Sequence, residues 1–200
     1  MTQAILVREF VSSIRSLRTA ALLLAPALLL SLLVILRWPA EGVVTQYGAR
    51  SLEVFRIFGY GACACICLVS PATPAVSLVK ERIRQTLGLI LNTPLTPWQI
   101  YLGKLSGVTG LIFLAMILTA PAAAACYALG GITFLGQIVP MYLVLAIATL
   151  QISALSLLVS SHSKNLDSAV RISYALMLVL TVGTLAPYQL LQGSEYQIAA

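Results

Sequence analysis

The stretch "RTAALLLAPALLLSLLVILR", residues 18 to 37, carries no charged side chain between the arginines at its two ends. Three more runs free of Asp, Glu, Lys, Arg and His follow, from Arg56 to Lys80, from Lys104 to His162 and from Arg171 to Glu195. A helix that crosses a membrane needs about 20 apolar residues, and the run after Lys104 is long enough for two crossings. The sequence therefore predicts five membrane-spanning helices.

The composition of the chain agrees with this interpretation. Of the 200 residues, 60% are hydrophobic and 9% are charged, and the mean hydropathy is +0.97. Ordinary soluble domains are about 25% charged, so a water-soluble fold is excluded. In a soluble protein, the net charge of +6 would suggest a nucleic-acid partner. In a membrane protein, the positions of the basic residues indicate on which side of the membrane each loop lies, and we expect no nucleic-acid partner.

We predict an all-α fold, a polytopic membrane helix bundle that forms a single transmembrane domain over residues 1–200. The predicted parts are an interfacial helix at 1–19, spans at 20–36, 55–79, 97–129, 135–160 and 168–187, and a protruding helix–turn–helix at 80–96, called the elbow below. A signal peptide is the alternative for the first apolar run. That run is longer than the 7–15 residues typical of a signal core, and no clear small-x-small cleavage site follows.

The first residues of the chain show a helical period. Phe10, Ile14 and their apolar neighbours share one arc, while Arg8 and Arg15 lie on the other. This pattern predicts an amphipathic helix that lies in the membrane interface, in contact with lipid headgroups. The alternative is that the segment is simply the start of the first span.

The positive charges are distributed unequally between the two predicted sides of the membrane. One side holds nine of them: Arg8, Arg15, Arg18, Lys80, Arg82, Arg84, Lys104, Lys164 and Arg171. The other side holds three: Arg37, Arg50 and Arg56. Because basic residues concentrate in cytosolic loops, we expect an integral protein of the bacterial inner membrane with a cytosolic N-terminus.

The segment "KERIRQTLGLILNTPLTPWQIYLGK", residues 80 to 104, interrupts the apolar chain with charges and prolines. Its first half has an amphipathic helical pattern, but Leu89 lies among the polar residues, which indicates contact with a protein partner. "TPWQ" has the pattern of a capping box in which Thr96 is the N-cap and Gln99 the reciprocal residue, so a new helix begins there. The residue before each proline is kept out of helical geometry, so a tight turn joins the two helices.

The sequence offers no catalytic or metal-binding pattern. "GKLSG" contains a Gly-Lys pair but lacks the remaining features of a Walker A loop, and neither Gly-x-Ser-x-Gly nor His-Glu-x-x-His occurs. Cys63 and Cys67 share a helix face and could be interpreted as a metal or redox site, but no His or carboxylate accompanies them, so we favour small buried side chains. His162 is expected in an inner loop. We predict that the chain is not an enzyme and holds no cofactor or metal.

Residues 81 to 105, "ERIRQTLGLILNTPLTPWQIYLGKL", resemble the signature of type-2 ABC transporter permeases: a Glu-Arg-rich opening, Thr-Leu, a run of leucines, "TPL", a polar link and "GK". The matching positions are Glu81, Arg82, Arg84, Thr86, Leu87, Leu91, Thr93, Pro94, Leu95, Gly103 and Lys104. The segment departs from the family pattern at Ile83, Gln85 and Gly88. The order of interfacial helix, two spans, elbow and further spans also agrees with the family.

The resemblance implies a permease of an ATP-driven exporter, in which the elbow is a coupling helix that docks on a separate ATPase subunit. The implied ATPase-coupling residues are Glu81, Arg82, Arg84, Thr86, Leu87, Leu89, Thr93, Pro94, Leu95 and Lys104. The implied partners are that ATPase, a second permease chain in a homo- or heterodimer, and membrane lipids, with ATP and Mg²⁺ bound by the ATPase alone. Because the family has six spans, we expect the sequence to be the N-terminal portion of a longer permease that ends before a sixth span.

Two other classes of protein remain as alternatives. A secondary carrier or channel that needs no ATPase would have polar or charged spans, and ionisable residues are nearly missing from the predicted ones. A membrane-embedded enzyme would need a cluster of His or carboxylate side chains, and the sequence has no such cluster. The cargo cannot be identified, because apolar spans with scattered Ser, Thr and Tyr fit lipids, drugs, peptides or glycans equally.

The sidedness of the elbow can be tested by labelling. We expect a Thr93→Cys variant, with the four native cysteines replaced, to react with a membrane-impermeant maleimide only after the membrane is permeabilised. A Gln46→Cys variant, in the predicted outer loop, should react in intact cells. The reverse pattern would place the elbow outside and would contradict the predicted topology.

Overall fold

The computed structural model describes the backbone of residues 17–38, 47–83 and 96–198, and the side chains of 20–38, 51–83, 96 and 98–183. The helices in chain order are α1 (Leu17–Leu36), α2 (Tyr47–Ile83), α3 (Pro97–Leu118), α4 (Ala120–Ala128), a π-helical turn (Phe134–Ile138), α5 (Val139–His162) and α6 (Leu166–Ile198). No strand occurs in these ranges. The predicted all-α class is confirmed, while the predicted interfacial helix lies almost entirely outside the described residues.

Four helical stretches are long and apolar enough to cross a membrane: Ser51–Ile83, Trp98–Ala128, Phe134–His162 and Leu166–Gly183. They correspond to the second to fifth predicted spans and indicate an integral membrane protein. The first predicted span appears as α1, whose apolar part, Ala20–Leu36, is a shorter helix of 17 residues. Its role as a fifth span stays a prediction.

The third predicted span, 97–129, is not one helix. It divides into α3 and α4 at Thr119, whose backbone N–H donates to Met116 O (3.0 Å). Pro121 explains the break, because its ring nitrogen has no hydrogen to donate to the carbonyl of Ile117. The Thr119 hydroxyl donates to Met116 O (2.6 Å) and lies 2.9 Å from the hydroxyl of Tyr142 on α5. The break is thus tied to a neighbouring helix.

The turn after α4 lies at Gly130 and Gly131, where the sequence predicts it. Both residues have a positive φ, 81° and 77°, which glycine adopts without steric cost. The chain then enters the π-helical turn, in which Gln137 Oε1 accepts from the backbone N–H of Thr133 (3.3 Å). This turn leads directly into α5, whose Pro140 occupies the first turn of the helix, where a missing N–H is tolerated.

Two helices extend beyond their predicted spans. Helix α2 covers Tyr47–Ile83 rather than 55–79, and α6 continues to Ile198 rather than ending at residue 187. Helix α2 also passes through Pro71 and Pro74, both fully buried. Spans were predicted from the apolar run alone, and helical backbone can continue past that run into more polar sequence.

The core is organised around α2, which contacts α1, α3, α4, α5 and α6. Its side chains Val54, Phe58, Ala62 and Ile66 form one buried cluster with residues of the other helices. Helix α6 packs mainly against α2 and α5 and is the least buried of the four candidate spans. Many large apolar side chains face outward, as expected when the surrounding medium is lipid.

Phe58 tests whether packing around α2 stabilises the bundle. Its side chain is 0% exposed, whereas Leu68 on the same helix is 65% exposed. We expect Phe58→Ala to lower the free energy of unfolding by about 3 kcal/mol, because it leaves a cavity among close-packed helices. Leu68→Ala, the matched control, should cost less than about 1 kcal/mol. Unfolding in mixed detergent micelles measures both, and equal losses would contradict the central position of α2.

Candidate functional site

The elbow end of the bundle is the region where α2 ends at Ile83, α3 begins at Pro97, and residues 163–165 connect α5 to α6. Of the predicted coupling residues, the structure describes Glu81, Arg82 and Lys104 and brings all three to this end. The others lie outside the described residues: Arg84, Thr86, Leu87, Leu89, Thr93, Pro94 and Leu95. Their roles stay predictions.

Helix α3 begins where the capping pattern predicts. Thr96 has an extended backbone (φ −72°, ψ 148°), and Pro97 occupies the first helical position. Gln99 Oε1 accepts from the backbone N–H of Thr96 (3.0 Å), which is the reciprocal half of a capping box. The capping contacts therefore fix the point at which the elbow segment ends and α3 begins.

An ion pair between a buried lysine and a partly buried glutamate joins the two helices that flank the elbow. Lys104 Nζ on α3 lies 2.6 Å from Glu81 Oε1 on α2, and the two side chains are 5% and 20% exposed. Lys104 Nζ also donates to Ser77 Oγ, one helical turn before Glu81 (3.4 Å). Because removing one partner would leave the other charge buried and uncompensated, this pair fixes α2 and α3 relative to each other.

Arg82 binds the end of α5. Its Nη1 donates to Ser163 O (2.9 Å) and its Nη2 donates to Ser161 O (2.8 Å). The last carbonyls of an α-helix have no donor within the helix, so a side-chain donor there satisfies groups that water would otherwise bind. The predicted role of Arg82 in ATPase contact is not tested by this geometry, but its guanidinium has a definite position on its own chain.

A second contact joins α2 to α5 close to Arg82. Ser160 Oγ accepts from the backbone N–H groups of Leu78 (3.2 Å) and Val79 (3.4 Å). Val79 also packs with Ala75 and with Ala169 of α6, and all three side chains are fully buried. The ends of α2, α5 and α6 therefore form one continuous contact next to the elbow.

The sequence did not predict the contacts of Arg82 and Ser160. Arg82 binds backbone carbonyls, which every residue possesses, so no pattern of side chains indicates the partner. Ser160 is the last residue of the predicted span 135–160 and is fully buried in the last turn of α5, but nothing in the sequence indicates that its hydroxyl binds α2. The pairing of Glu81 with Lys104 had a signal, because opposite charges flank the elbow on both sides.

The described residues contain no group of three or more His, Cys, Asp or Glu side chains that could hold a metal ion. All four cysteines are free. His162 is exposed, and its Nδ1 lies 3.1 Å from Ser161 Oγ, a neighbouring hydroxyl in the last turn of α5. Neither arrangement resembles a nucleophile with a base and an orienting group.

An apolar pocket lies between α1, α2, α3 and α5. It is lined by Pro26, Leu30, Ile66, Met116, Tyr142 and Leu145, among others. Its volume is about 30 Å³, room for only a few water molecules. The pocket is therefore too small to hold a drug-sized or lipid-sized cargo.

Geometry and composition together define the chain as a helical membrane protein. An ion pair and hydrogen bonds join its helices at the elbow end. Comparison with protein-family models, with curated proteins and with solved structures gives no match to this chain. The class of membrane protein therefore has to be argued from the residues themselves.

A double-mutant cycle tests the ion pair. We expect Lys104→Met and Glu81→Gln each to lower the free energy of unfolding by about 3 kcal/mol, because each leaves one buried charge without its partner. The double variant should lose less than the sum of the two by about 2 kcal/mol or more. Lys164→Met, at an exposed lysine, is the control and should be nearly neutral. Additive losses in the unfolding titration would show that the pair is not coupled.

Proposed function

We propose that this chain is a membrane permease subunit of an ATP-driven transporter of the ABC type-2 class, and that it works as an exporter. The observation that carries the proposal is the arrangement at the elbow end. A segment with the permease signature is anchored on both sides, by Glu81 on α2 and by Lys104 on α3, through an ion pair. When a segment anchored in this way is displaced, the two membrane-crossing helices on either side of it move as well.

The proposed mechanism is mechanical. Two permease chains pair, and each elbow docks in a groove of a separate ATPase subunit. Closure of the ATPase dimer on ATP then moves the elbows, shifts α2 and α3, and changes access to a path between the two chains. The driving free energy is the difference in ATP affinity between the two states, since a ligand shifts an equilibrium only through differential binding.

The small apolar pocket is consistent with a path between two chains. The space among α1, α2, α3 and α5 is only about 30 Å³, so cargo of drug or lipid size would need another route. The missing Walker A pattern supports a separate ATPase, with ATP and Mg²⁺ bound there and not on this chain. The proposed location is the bacterial inner membrane, with the N-terminus in the cytosol.

One observation favours the alternative of a carrier that needs no ATPase. The hydroxyls of Ser70, Ser153 and Ser173, on α2, α5 and α6, are buried and have no hydrogen-bond partner among the described residues. Unpaired buried hydroxyls in a membrane protein are typical of polar pathways as well as of sites occupied by water. Transport by reconstituted vesicles that contain this chain without any ATPase would favour the carrier.

The docking of the ATPase can be tested at Leu89, the apolar residue on the polar side of the elbow helix. We expect Leu89→Ala to reduce the amount of ATPase that co-purifies in mild detergent by about tenfold or more, because an apolar anchor at the centre of an interface contributes much of its binding energy. The co-purified protein must contain a Walker A sequence and hydrolyse ATP.

The matched control is Ile83→Ala, an exposed apolar residue at the end of α2. It should leave the amount of ATPase unchanged. Membrane insertion of both variants should equal that of the wild type. Normal attachment in Leu89→Ala, or no ATPase with the wild-type chain, would contradict the proposed function.

A further inference from the structure

Arg82 occupies an unusual position for a residue next to the elbow. The elbow segment continues directly from α2, yet the Arg82 guanidinium points to the connection between α5 and α6. It donates to Ser161 O and to Ser163 O through two different nitrogens, at 2.8 and 2.9 Å. Ser163 is the C-cap of α5, so the contact lies where that helix ends.

The chemistry of this contact favours arginine over lysine. A guanidinium presents its N–H groups in a rigid plane, so two carbonyls bound at once fix both its position and its orientation. A lysine ammonium is a point charge that would reach one carbonyl without fixing direction. The positive charge also lies at the C-terminal end of the α5 dipole, where a cation is favourable.

The rest of the turn is already hydrogen-bonded within α5. The backbone N–H and the hydroxyl of Ser163 both donate to Val159 O, at 3.0 and 2.9 Å, and Ser161 Oγ donates to Leu158 O at 2.7 Å. These bonds leave the carbonyls of Ser161 and Ser163 as acceptors that Arg82 satisfies. The turn is therefore an ordered binding partner for the guanidinium.

Further contacts extend this attachment to α6. Ser160 Oγ accepts from the N–H groups of Leu78 and Val79, one turn before Arg82. Val79 packs against Ala169 in the first turns of α6. Moving the end of α2 without moving the α5–α6 connection would break both the hydrogen bonds and this packing.

We propose that Arg82 is a positioning residue that attaches the elbow to the α5–α6 connection, so that displacement of the elbow moves α5 and α6 together with α2 and α3. The coupling part of this inference rests on the proposed function. In a chain without Arg82, displacement of the elbow reaches α5 and α6 only weakly.

The test compares Arg82→Ala, Arg82→Lys and Arg171→Ala in the complex of this chain with its ATPase. Arg171 is also an exposed arginine, and the described residues give it no hydrogen bond or ion pair, so it controls for lost charge. The attachment itself is measured by amide hydrogen exchange of residues 161–168. Coupling is measured by the change that ATP produces in maleimide labelling of a Lys164→Cys site, with the signal of the native cysteines subtracted.

We expect Arg82→Ala to exchange hydrogen at residues 161–168 at least about tenfold faster, and the ATPase complex that it forms to lose most of the ATP-dependent change in labelling. Arg82→Lys should be intermediate and Arg171→Ala should equal the wild type. Ser160→Ala, a milder variant, should shift both readouts in the same direction if Arg82→Ala proves too unstable to purify.

Wild-type exchange rates in Arg82→Ala, or an ATP response that survives in it, would overturn the inference. Loss of the ATPase with unchanged exchange would make Arg82 a direct ATPase contact, which overturns the inference and leaves the proposed function intact. If no ATPase co-purifies with the wild-type chain, the proposed function and the coupling fail together. In that case, the hydrogen-exchange rates still test whether Arg82 attaches to the α5–α6 connection.

Discussion

The ion pair between Lys104 and Glu81 sets the separation between the end of α2 and the start of α3, and the other contacts of the elbow end are arranged around it. Neither charge can be withdrawn from its buried position without leaving the other uncompensated. The two helices must therefore move together at this end. The described residues on the two sides of the elbow, Glu81 and Lys104, are therefore fixed relative to each other.

Hydroxyl side chains of neighbouring helices bind the backbone of α2 close to its two buried prolines. Pro71 and Pro74 have no N–H to offer to the carbonyls of the preceding turn, yet both lie fully buried in α2. Near them, Tyr174 of α6 donates to Leu68 O, and Ser160 of α5 accepts from the N–H groups after the second proline. Lipid offers the backbone no hydrogen-bond partner, so contacts of this kind come from neighbouring helices. The same contacts hold α5 and α6 against α2.

The sequence predicted those features that depend on an apolar run or a local rule. The four long spans follow from charge-free stretches, the turn from Gly130 and Gly131, and the start of α3 from the capping pattern at Thr96. The break at Thr119 had a signal in Pro121 that the length of the apolar run concealed. The contacts of Arg82 could not have been predicted, because its acceptors are backbone carbonyls brought near by the fold. For the candidate site, the sequence indicated which residues are involved, whereas only the fold shows which groups they contact.

Over residues 166–183, helix α6 packs mainly against α2 and α5, and it is the least buried of the four candidate spans. A displacement of α2 would therefore also move α6 relative to the surrounding hydrocarbon. The lipids would have to adapt to such a rearrangement. Its free energy would therefore depend on the thickness and order of the bilayer as well as on side-chain contacts.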